Sequence, residues 1–224
     1  MRMRRKKHLE ERLESVKDYF VVVERDVTNV LKAIEDKRYI EYEKVFGNSN
    51  PVEIDIGCGK GGFITKLAKR NPDKNFLAVE MMENIILLAS ETAKKENIQN
   101  LKFINTGAEY LPRYIKPKTL SAVYLNFSPP YPQKSYSNRR LTNPRFLGVY
   151  DGLIKDDGRI YQKTDDKDFF EYSFQNFLDF GYEVTNLFET DSGAEYKSVI
   201  TEYENKFRSQ GMPIYGLIAN KKKN

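Results

Sequence analysis

A short strand that runs directly into a glycine-rich loop constrains this chain more than any other feature. Residues 52–56 form a short run with β-branched residues at every second position, and Gly57, Gly59, Gly61 and Gly62 follow before a helical pattern begins. Glycine tolerates a positive φ and, having no Cβ, lets a ligand lie against the backbone. The spacing of Gly57, Gly59 and Gly62 fits the G-x-G-x-x-G pattern, which several nucleotide cofactors share. The segment therefore predicts a nucleotide cofactor beside the first strand of an α/β sheet.

Two acidic residues narrow the choice of cofactor. Asp55 lies two residues before the first glycine, and Glu80 follows an apolar run, where the second strand should end. An acid at the end of the second strand, here Glu80, can accept hydrogen bonds from both ribose hydroxyls of a nucleotide. An acid at the mouth of the first strand favours a ligand that carries an amino group and a sulfonium, and it repels a pyrophosphate. The pattern resembles the class I S-adenosylmethionine-dependent methyltransferases and favours S-adenosyl-L-methionine over a nicotinamide dinucleotide or a plain tight turn.

From residue 52 onward, strand-like and helix-like segments alternate, which predicts a mostly parallel sheet with helices on both faces. We expect strands at residues 52–56, 76–79, 101–105, 120–127, 159–164, 183–188 and 214–219, and helices at 63–70, 83–96, 145–154, 168–180 and 198–210. Seven strands are typical of the α/β Rossmann-like class I methyltransferase fold. We assign this domain to residues 51–220. Residues 1–50 should form a basic arm and a helical extension, with helices at 9–18 and 28–46 and Asp26 or Thr28 as the second N-cap.

Composition excludes several other classes of protein. The 224 residues suffice for one substantial domain with an appendage. No apolar run reaches the roughly 18 residues of a membrane span, and the charged N-terminus lacks a signal-peptide core. We therefore expect a cytoplasmic protein with no membrane partner. One cysteine and one histidine are too few for a structural zinc site, so we expect no metal. The sequence does not indicate the oligomeric state.

Positive charge is concentrated at the two ends of the chain. The formal net charge is +5, and the basic residues cluster at Arg2, Arg4, Arg5, Lys6 and Lys7 and again at residues 221–223. Basic arms of this kind favour contact with a polyanion, although a solvated tail that aids solubility is the alternative.

Three further segments resemble one specific family. They are Leu-Asn-Phe-Ser-Pro-Pro-Tyr-Pro-Gln-Lys at 125–134 with Arg-Arg-Leu-Thr at 139–142, Lys-Thr-Asp at 163–165, and Thr-Glu-Tyr-Glu at 201–204. They are similar to motifs of the bacterial tRNA (guanine-N7-)-methyltransferases, which carry Leu-Asn-Phe-Ser-Asp-Pro-Trp-Pro-Lys-Lys, Arg-Arg-Leu-Thr, Lys-Thr-Asp and Thr-Glu-Tyr-Glu in this order. The chain departs from that pattern at three positions. Pro129 replaces the aspartate regarded as catalytic, Gly107 replaces an acid on the adenine side of the cofactor, and Gln133 replaces a substrate-binding lysine.

The resemblance implies tRNA as the partner and assigns the site residues. Expected cofactor-binding residues are Asp55, Gly57, Gly59, Gly61, Glu80, Gly107, Ala108 and Asn126. Expected substrate-binding residues are Gln133, Lys134, Arg139, Arg140, Asp165, Thr201, Glu202, Tyr203 and Glu204, of which Lys134, Arg139 and Arg140 should meet phosphates. With Pro129 in place of the aspartate, Asp165 and Glu204 are the candidate catalytic carboxylates, with Asp166 behind them.

Two alternatives to a guanine-N7 methyltransferase stay open, and the chemistry of guanine N7 is the reference for both. Guanine N7 has a free lone pair, so its methylation needs alignment and electrostatic stabilisation but no general base. The negative charge of the Asp165 carboxylate would stabilise that reaction electrostatically. Asp165 is also a candidate N-cap of the next helix, and the two roles are compatible. The segment Ser128-Pro129-Pro130-Tyr131 also matches the motif of methyltransferases that act on exocyclic amines of adenine or cytosine. A protein that binds RNA or cofactor but has lost catalysis with its aspartate is the third possibility.

Overall fold

The computed structural model describes residues 6–23, 29–189 and 199–222. Within them, one sheet contains seven strands: β1 (Val52–Ile56), β2 (Asn75–Val79), β3 (Leu101–Ile104), β4 (Leu120–Asn126), β5 (Ile154–Thr164), β6 (Glu183–Glu189) and β7 (Tyr215–Asn220). Their order is β3-β2-β1-β4-β5-β7-β6, and β7 runs in the direction opposite to the other six strands. The strand order reverses between β1 and β4, which places a ligand crevice at their carboxyl ends.

The described α-helices are α1 (Leu9–Ser15), α2 (Val30–Glu35), α3 (Tyr42–Phe46), α4 (Gly62–Arg70), α5 (Glu83–Lys95), α6 (Leu111–Tyr114), α7 (Pro144–Leu153), α8 (Lys167–Phe180) and α9 (Glu202–Ser209). Helices α4 and α5 pack on one face of the sheet, and α6, α7 and α8 pack on the other. All five residues of β1 are therefore buried. The predicted seven-stranded α/β fold is confirmed. None of the described helices combines the length and apolar character that a membrane crossing requires.

The helix predicted over residues 28–46 is wrong, because two short helices, α2 and α3, stand in its place. The backbone between them is held by α6: the amides of Arg38 and Ile40 donate to the carbonyls of Arg113 and Tyr114, each at 2.8 Å. Asn29 caps α2, and the predicted caps Asp26 and Thr28 lie outside the described residues. Tertiary hydrogen bonds thus override a local helical pattern.

Three smaller differences affect the region near the site. Strand β5 begins at Ile154, five residues before the predicted start, and a register shift against β4 accommodates the added length. The short helix α6 was not predicted. The polar loop after β4 contains a 3₁₀ helix at Lys134–Arg139.

The N-terminal extension lies against the sheet. The amide of Val21 donates to the carbonyl of Phe103 at 2.9 Å, and Phe20 forms a β-bridge with the same residue. The Arg12 guanidinium donates two hydrogen bonds, of 2.7 and 2.6 Å, to the Glu91 carboxylate on α5. The contacts of Phe20 and Val21 cover the edge of β3, and the Arg12–Glu91 pair joins the extension to α5. The domain boundary at residue 50 stays a prediction.

Candidate active site

The glycine loop after β1 divides into an open part and a packed part. Gly57, Gly59 and Gly61 all have positive φ, at 78°, 57° and 79°. A Cβ built on Gly57 or Gly59 would meet no atom within 4 Å, whereas one built on Gly61 would lie 2.7 Å from the Cβ of Ala89. The first two glycines therefore leave open space above the backbone. Gly61 allows α4 to approach α5, so the structure gives this residue a packing role.

The carboxyl group of Asp55 is buried at the end of β1, with 2% of the residue exposed. No described residue hydrogen-bonds to it. Burial, and second the negative charge of Glu80, raise the pKa of Asp55 to about 8. A buried acid without a protein partner needs a cationic or hydrogen-bonding ligand to stabilise its charge.

Glu80 follows β2, as predicted, and is half-buried. One of its carboxylate oxygens accepts a hydrogen bond from the amide of Met82 at 2.9 Å. Its backbone carbonyl accepts one from the side chain of Asn105 at 2.6 Å. These two bonds fix the acid at the edge of the crevice.

A tight turn follows β3. Gly107 is the N-cap of a 3₁₀ helix at Ala108–Tyr110, and Ala108 is buried. A Cβ built on Gly107 would lie only 2.6 Å from a carboxylate oxygen of Glu109. The half-buried Glu109 carboxylate therefore occupies the space that a side chain at position 107 would enter.

The turn after β4 is strained. Asn126 ends the strand, and the next residue, Phe127, has a φ of +50°, while Tyr131 has a φ of +43°. Non-glycine residues in this region cost about 1–3 kcal/mol each and persist where surrounding contacts hold them. Between them, Ser128 is buried, and its Oγ has no hydrogen-bond partner among the described residues. Such strain and an unsatisfied hydroxyl are typical of a ligand-binding turn.

Two adjacent acids after β5 have different roles. Asp166 is the N-cap of α8, because its Oδ1 accepts a hydrogen bond from the amide of Phe169 at 2.7 Å. Asp165 is half-buried, and no described residue forms a hydrogen bond or ion pair with it. The interpretation of Asp165 as the helix cap is therefore wrong, and its carboxylate is available to a ligand.

Glu204 is engaged on both oxygens. It is 1% exposed and receives the Nζ of Lys163 at 2.9 Å and the guanidinium of Arg208 at 2.7 Å. Burial lowers the pKa of Lys163, and the Glu204 carboxylate opposes that shift. The Thr201 hydroxyl caps α9 by accepting a hydrogen bond from the amide of Glu204 at 2.8 Å. The expected contact between Glu204 and a base thus conflicts with the ion pairs that it makes. The side chains of Glu202 and Tyr203 lie outside the described part of the structure.

The structure separates the predicted phosphate-binding residues into two groups. Lys134 and Arg139 are exposed, as is Gln133, which was predicted to contact the substrate. Arg140 is half-buried, stacks over the ring of Tyr172 at 4.2 Å, and donates to the carbonyl of Tyr131 at 3.1 Å. Its guanidinium therefore shapes the turn after β4, which corrects the expectation of a free phosphate contact.

The terminal basic residues are only partly described. Arg2, Arg4, Arg5 and Lys223 lie outside the described residues, and Lys6 and Lys7 are exposed. Lys221 forms an ion pair with Asp151 at 2.8 Å, so this lysine stabilises the fold and does not belong to a solvated tail.

Comparison with known proteins assigns the family. A family model described as "Putative methyltransferase" matches residues 49–217. A tRNA (guanine-N(7)-)-methyltransferase from Clostridioides difficile (strain 630) is 39% identical over 223 residues, covering 99% of this chain and 100% of that protein. The protein of that name from Bacillus subtilis (strain 168) is 40% identical over 177 residues, covering 78% and 83%. This chain belongs to the tRNA (guanine-N7-)-methyltransferase family.

Solved structures support the fold of this family member. The 16S rRNA methyltransferase KamB superposes with a TM-score of 0.62 at 14% identity, covering 84% of this chain and 96% of that one. A SAM-dependent methyltransferase from Aquifex aeolicus superposes with a TM-score of 0.55 at 14% identity, covering 97% and 100%.

One departure from the tRNA (guanine-N7-)-methyltransferase pattern has a structural counterpart. The resemblance predicted an acid at position 107, where this family member has Gly107. The carboxylate of Glu109 lies where that side chain would begin. Sequence reasoning missed Glu109, although an acid two residues after the departure was the signal available.

Proposed function

We propose that this protein transfers a methyl group from S-adenosyl-L-methionine to N7 of a guanine in tRNA. The observation that carries the proposal is a pair of carboxylates, Asp55 just before the glycine loop and Asp165 after β5, that have no partner among the described residues. They flank β4 at the carboxyl edge of the sheet, where strand order reverses. The relatives from Clostridioides difficile and Bacillus subtilis support guanine N7 as the target.

The cofactor fits the first half of this edge. Gly57 and Gly59 leave room for close approach, and the buried Asp55 offers a negative charge to an amino group or a sulfonium. Glu80 is held at the end of β2 to accept hydrogen bonds from ribose hydroxyls. When bound, S-adenosyl-L-methionine supplies an activated methyl group. We assign the adenine side to the backbone of Gly107 and Ala108, with the Glu109 carboxylate beside them, and assign Asn126 to the methyl-transfer side.

Asp165 is the proposed contact for the base. Its carboxylate can accept the N1–H and N2–H groups of guanine while positive charge moves onto the purine ring, and this stabilises the transition state electrostatically. No proton has to leave N7, so no general base is required. Glu204 and Thr201 act as positioning residues, because one holds Lys163 at the end of β5 and the other starts α9.

The exposed cations after β4 should bind the tRNA backbone. Lys134 and Arg139 lie on the 3₁₀ helix next to the strained turn, with Gln133 at its N-cap. Phosphate contacts give affinity that falls with salt and carry little sequence information. Arg139→Glu should raise the KM for tRNA and flatten its salt dependence, with cofactor affinity unchanged. A variant with unaltered KM and salt slope would remove Arg139 from the interface. Because tRNA is a cytoplasmic molecule, the proposal places the enzyme in the cytoplasm.

The decisive experiment identifies the product. Purified protein is incubated with S-adenosyl-L-methionine and unmodified tRNA, the RNA is digested to nucleosides, and the methylated nucleoside is identified by mass spectrometry. We expect 7-methylguanosine, and we expect Asp165→Asn to abolish most of it while cofactor binding persists. Cofactor binding without any methylated product would instead identify a member that has lost catalysis together with the aspartate at position 129.

The Ser-Pro-Pro-Tyr turn supports a second candidate function. The buried Ser128 hydroxyl has no partner among the described residues and could accept a hydrogen bond from an exocyclic amine. The same experiment separates the two functions, because methylation of an adenine or cytosine amine gives a different nucleoside from 7-methylguanosine.

A further inference from the structure

A cavity of about 460 Å³ lies beside the proposed methyl-transfer site, between the turn after β4 and the start of α8. Its walls include Pro130 and Pro132 from the turn, Lys134 and Arg140 from the next segment, and Asp168 and Tyr172 from α8. Neither Asp165 nor Ser128 lines it. Its volume is in the range of roughly 300–1,000 Å³ that small-ligand sites occupy. We call it the Tyr172 cavity.

A rigid planar group forms one wall of the Tyr172 cavity. The Arg140 guanidinium lies 4.2 Å from the ring centre of Tyr172 and 5.9 Å from that of Phe169. It also donates a hydrogen bond to the carbonyl of Tyr131, and the Tyr172 hydroxyl accepts one from the Asn143 amide. Arginine held flat in this way offers a stacking surface for an unpaired nucleobase.

The charges around the Tyr172 cavity discriminate between a base and a phosphate. Asp168 is exposed, and no described residue forms a hydrogen bond or ion pair with it. Asp166 adds a second carboxylate, of which one oxygen caps α8. These two carboxylates offset the positive charges of Arg140 and Lys134, so the cavity offers a phosphate no net attraction, whereas a carboxylate accepts hydrogen bonds from the amino group of a base. Lys134 is at the rim, where a backbone phosphate would pass.

We propose that the Tyr172 cavity receives a second, unstacked base of the tRNA, next to the methylated guanine in the chain. The base stacks on the Arg140 guanidinium and donates its exocyclic amino group to Asp168. The inference rests on the proposed function, because it assumes that tRNA occupies the neighbouring site. The enzyme would then recognise two nucleotides and would select tRNAs whose loop exposes both.

Removal of the Asp168 charge tests the inference, because the inference predicts whether the KM for tRNA rises or falls. Removing an acid near a polyanion should strengthen tRNA binding if the acid makes no contact. If Asp168 accepts a hydrogen bond from a base, Asp168→Ala should instead raise the KM for tRNA about tenfold. Glu171→Ala is the matched control, since Glu171 is an exposed acid on the same helix outside the cavity. It should leave the KM unchanged or lower it.

A double-mutant cycle, with one change in the protein and one in the tRNA, identifies the base. Transcripts with a single abasic nucleotide on either side of the methylated guanine are compared with intact tRNA, for wild type and Asp168→Ala, by the rate of 7-methylguanosine formation. At one position the abasic transcript should raise the KM for wild type by more than about tenfold, because both the stacking on Arg140 and the hydrogen bond to Asp168 are lost. The same transcript should raise the KM of the variant by a factor about ten times smaller, because the variant has already lost the hydrogen bond.

Additive effects at both positions, or a KM for Asp168→Ala that falls as in the control, would overturn the inference while leaving the proposed function intact. A wild-type enzyme that forms no 7-methylguanosine would overturn the proposed function, and the inference with it.

Discussion

Asp55 should destabilise the protein in the absence of cofactor. Its pKa is raised from 3.8 to about 8, with burial as the main cause and Glu80 as the second. Below pH 3.8 the carboxyl is protonated in both folded and unfolded states, so it contributes nothing. Between the two values only the unfolded state loses its proton, and stability falls by about 1.4 kcal/mol per pH unit. The penalty approaches about 4 kcal/mol at pH 7 and is constant above the folded pKa.

Asp55→Asn removes this penalty and keeps the size and polarity of the side chain. Urea unfolding of the cofactor-free proteins across pH 4 to 8 gives the free energy of unfolding of each. We expect the two proteins to have similar free energies of unfolding near pH 4. As the pH rises, the variant should become increasingly more stable than wild type. The variant should bind S-adenosyl-L-methionine far more weakly, because it lacks the charge that meets the cationic ligand.

Cofactor binding by wild type should also depend on pH. A ligand that pairs with the ionised carboxylate must displace its proton, so affinity should increase from pH 6 to 8 in wild type and stay flat in Asp55→Asn. A stability difference that does not change with pH would refute the reasoning. So would a variant that is less stable than wild type at pH 7 and still binds the cofactor normally.

Three further predictions concern residues around Asp55 and Asp165. Glu109→Ala should weaken cofactor binding by about tenfold if its carboxylate replaces the acid absent at position 107, and calorimetric titration that gives an unchanged Kd would contradict this. Gly61→Ala should lower the Tm more than Gly59→Ala, because only the first clashes with α5, whereas Gly59→Ala should lose more cofactor affinity; the reverse order would refute the assigned roles. Lys163→Met should cost about 1–3 kcal/mol of unfolding free energy, because one Glu204 oxygen loses its partner while Arg208 still pairs with the other, and adding Glu204→Gln should recover part of it. If the free energy of unfolding of Lys163→Met equals that of wild type within experimental error, the ion pair contributes little to stability.

Local pattern was sufficient to predict that the glycine loop and two acids lie at one edge of the sheet. The glycine loop and the acids at positions 55 and 80 follow strands whose ends meet at one edge of any parallel sheet, so their proximity follows from the fold. The base side was harder to predict. Which of two adjacent acids folds back onto a helix amide depends on backbone angles that the sequence does not display, and Asp166, not Asp165, does so.

Long-range pairing explains the remaining error. Glu204 was predicted to contact the base, but it pairs with Lys163, which is 41 residues away in the chain. No local pattern reports such a contact. Glu109 was not assigned to the site for a different, local reason: its carboxylate reaches back over Gly107, whereas the resemblance concerned position 107 alone.

The place of β7 in the sheet determines the order of events during synthesis. β7 lies between β5 and β6, although it follows both in the chain. A ribosome adds roughly 5–20 residues per second, so β6 and the outer edge of β5 wait for seconds before their common partner emerges. During that interval the strands beneath the glycine loop can already pair, while a long, unpaired edge is exposed to other nascent chains. Slower translation between β6 and β7 should therefore increase aggregation of newly made protein.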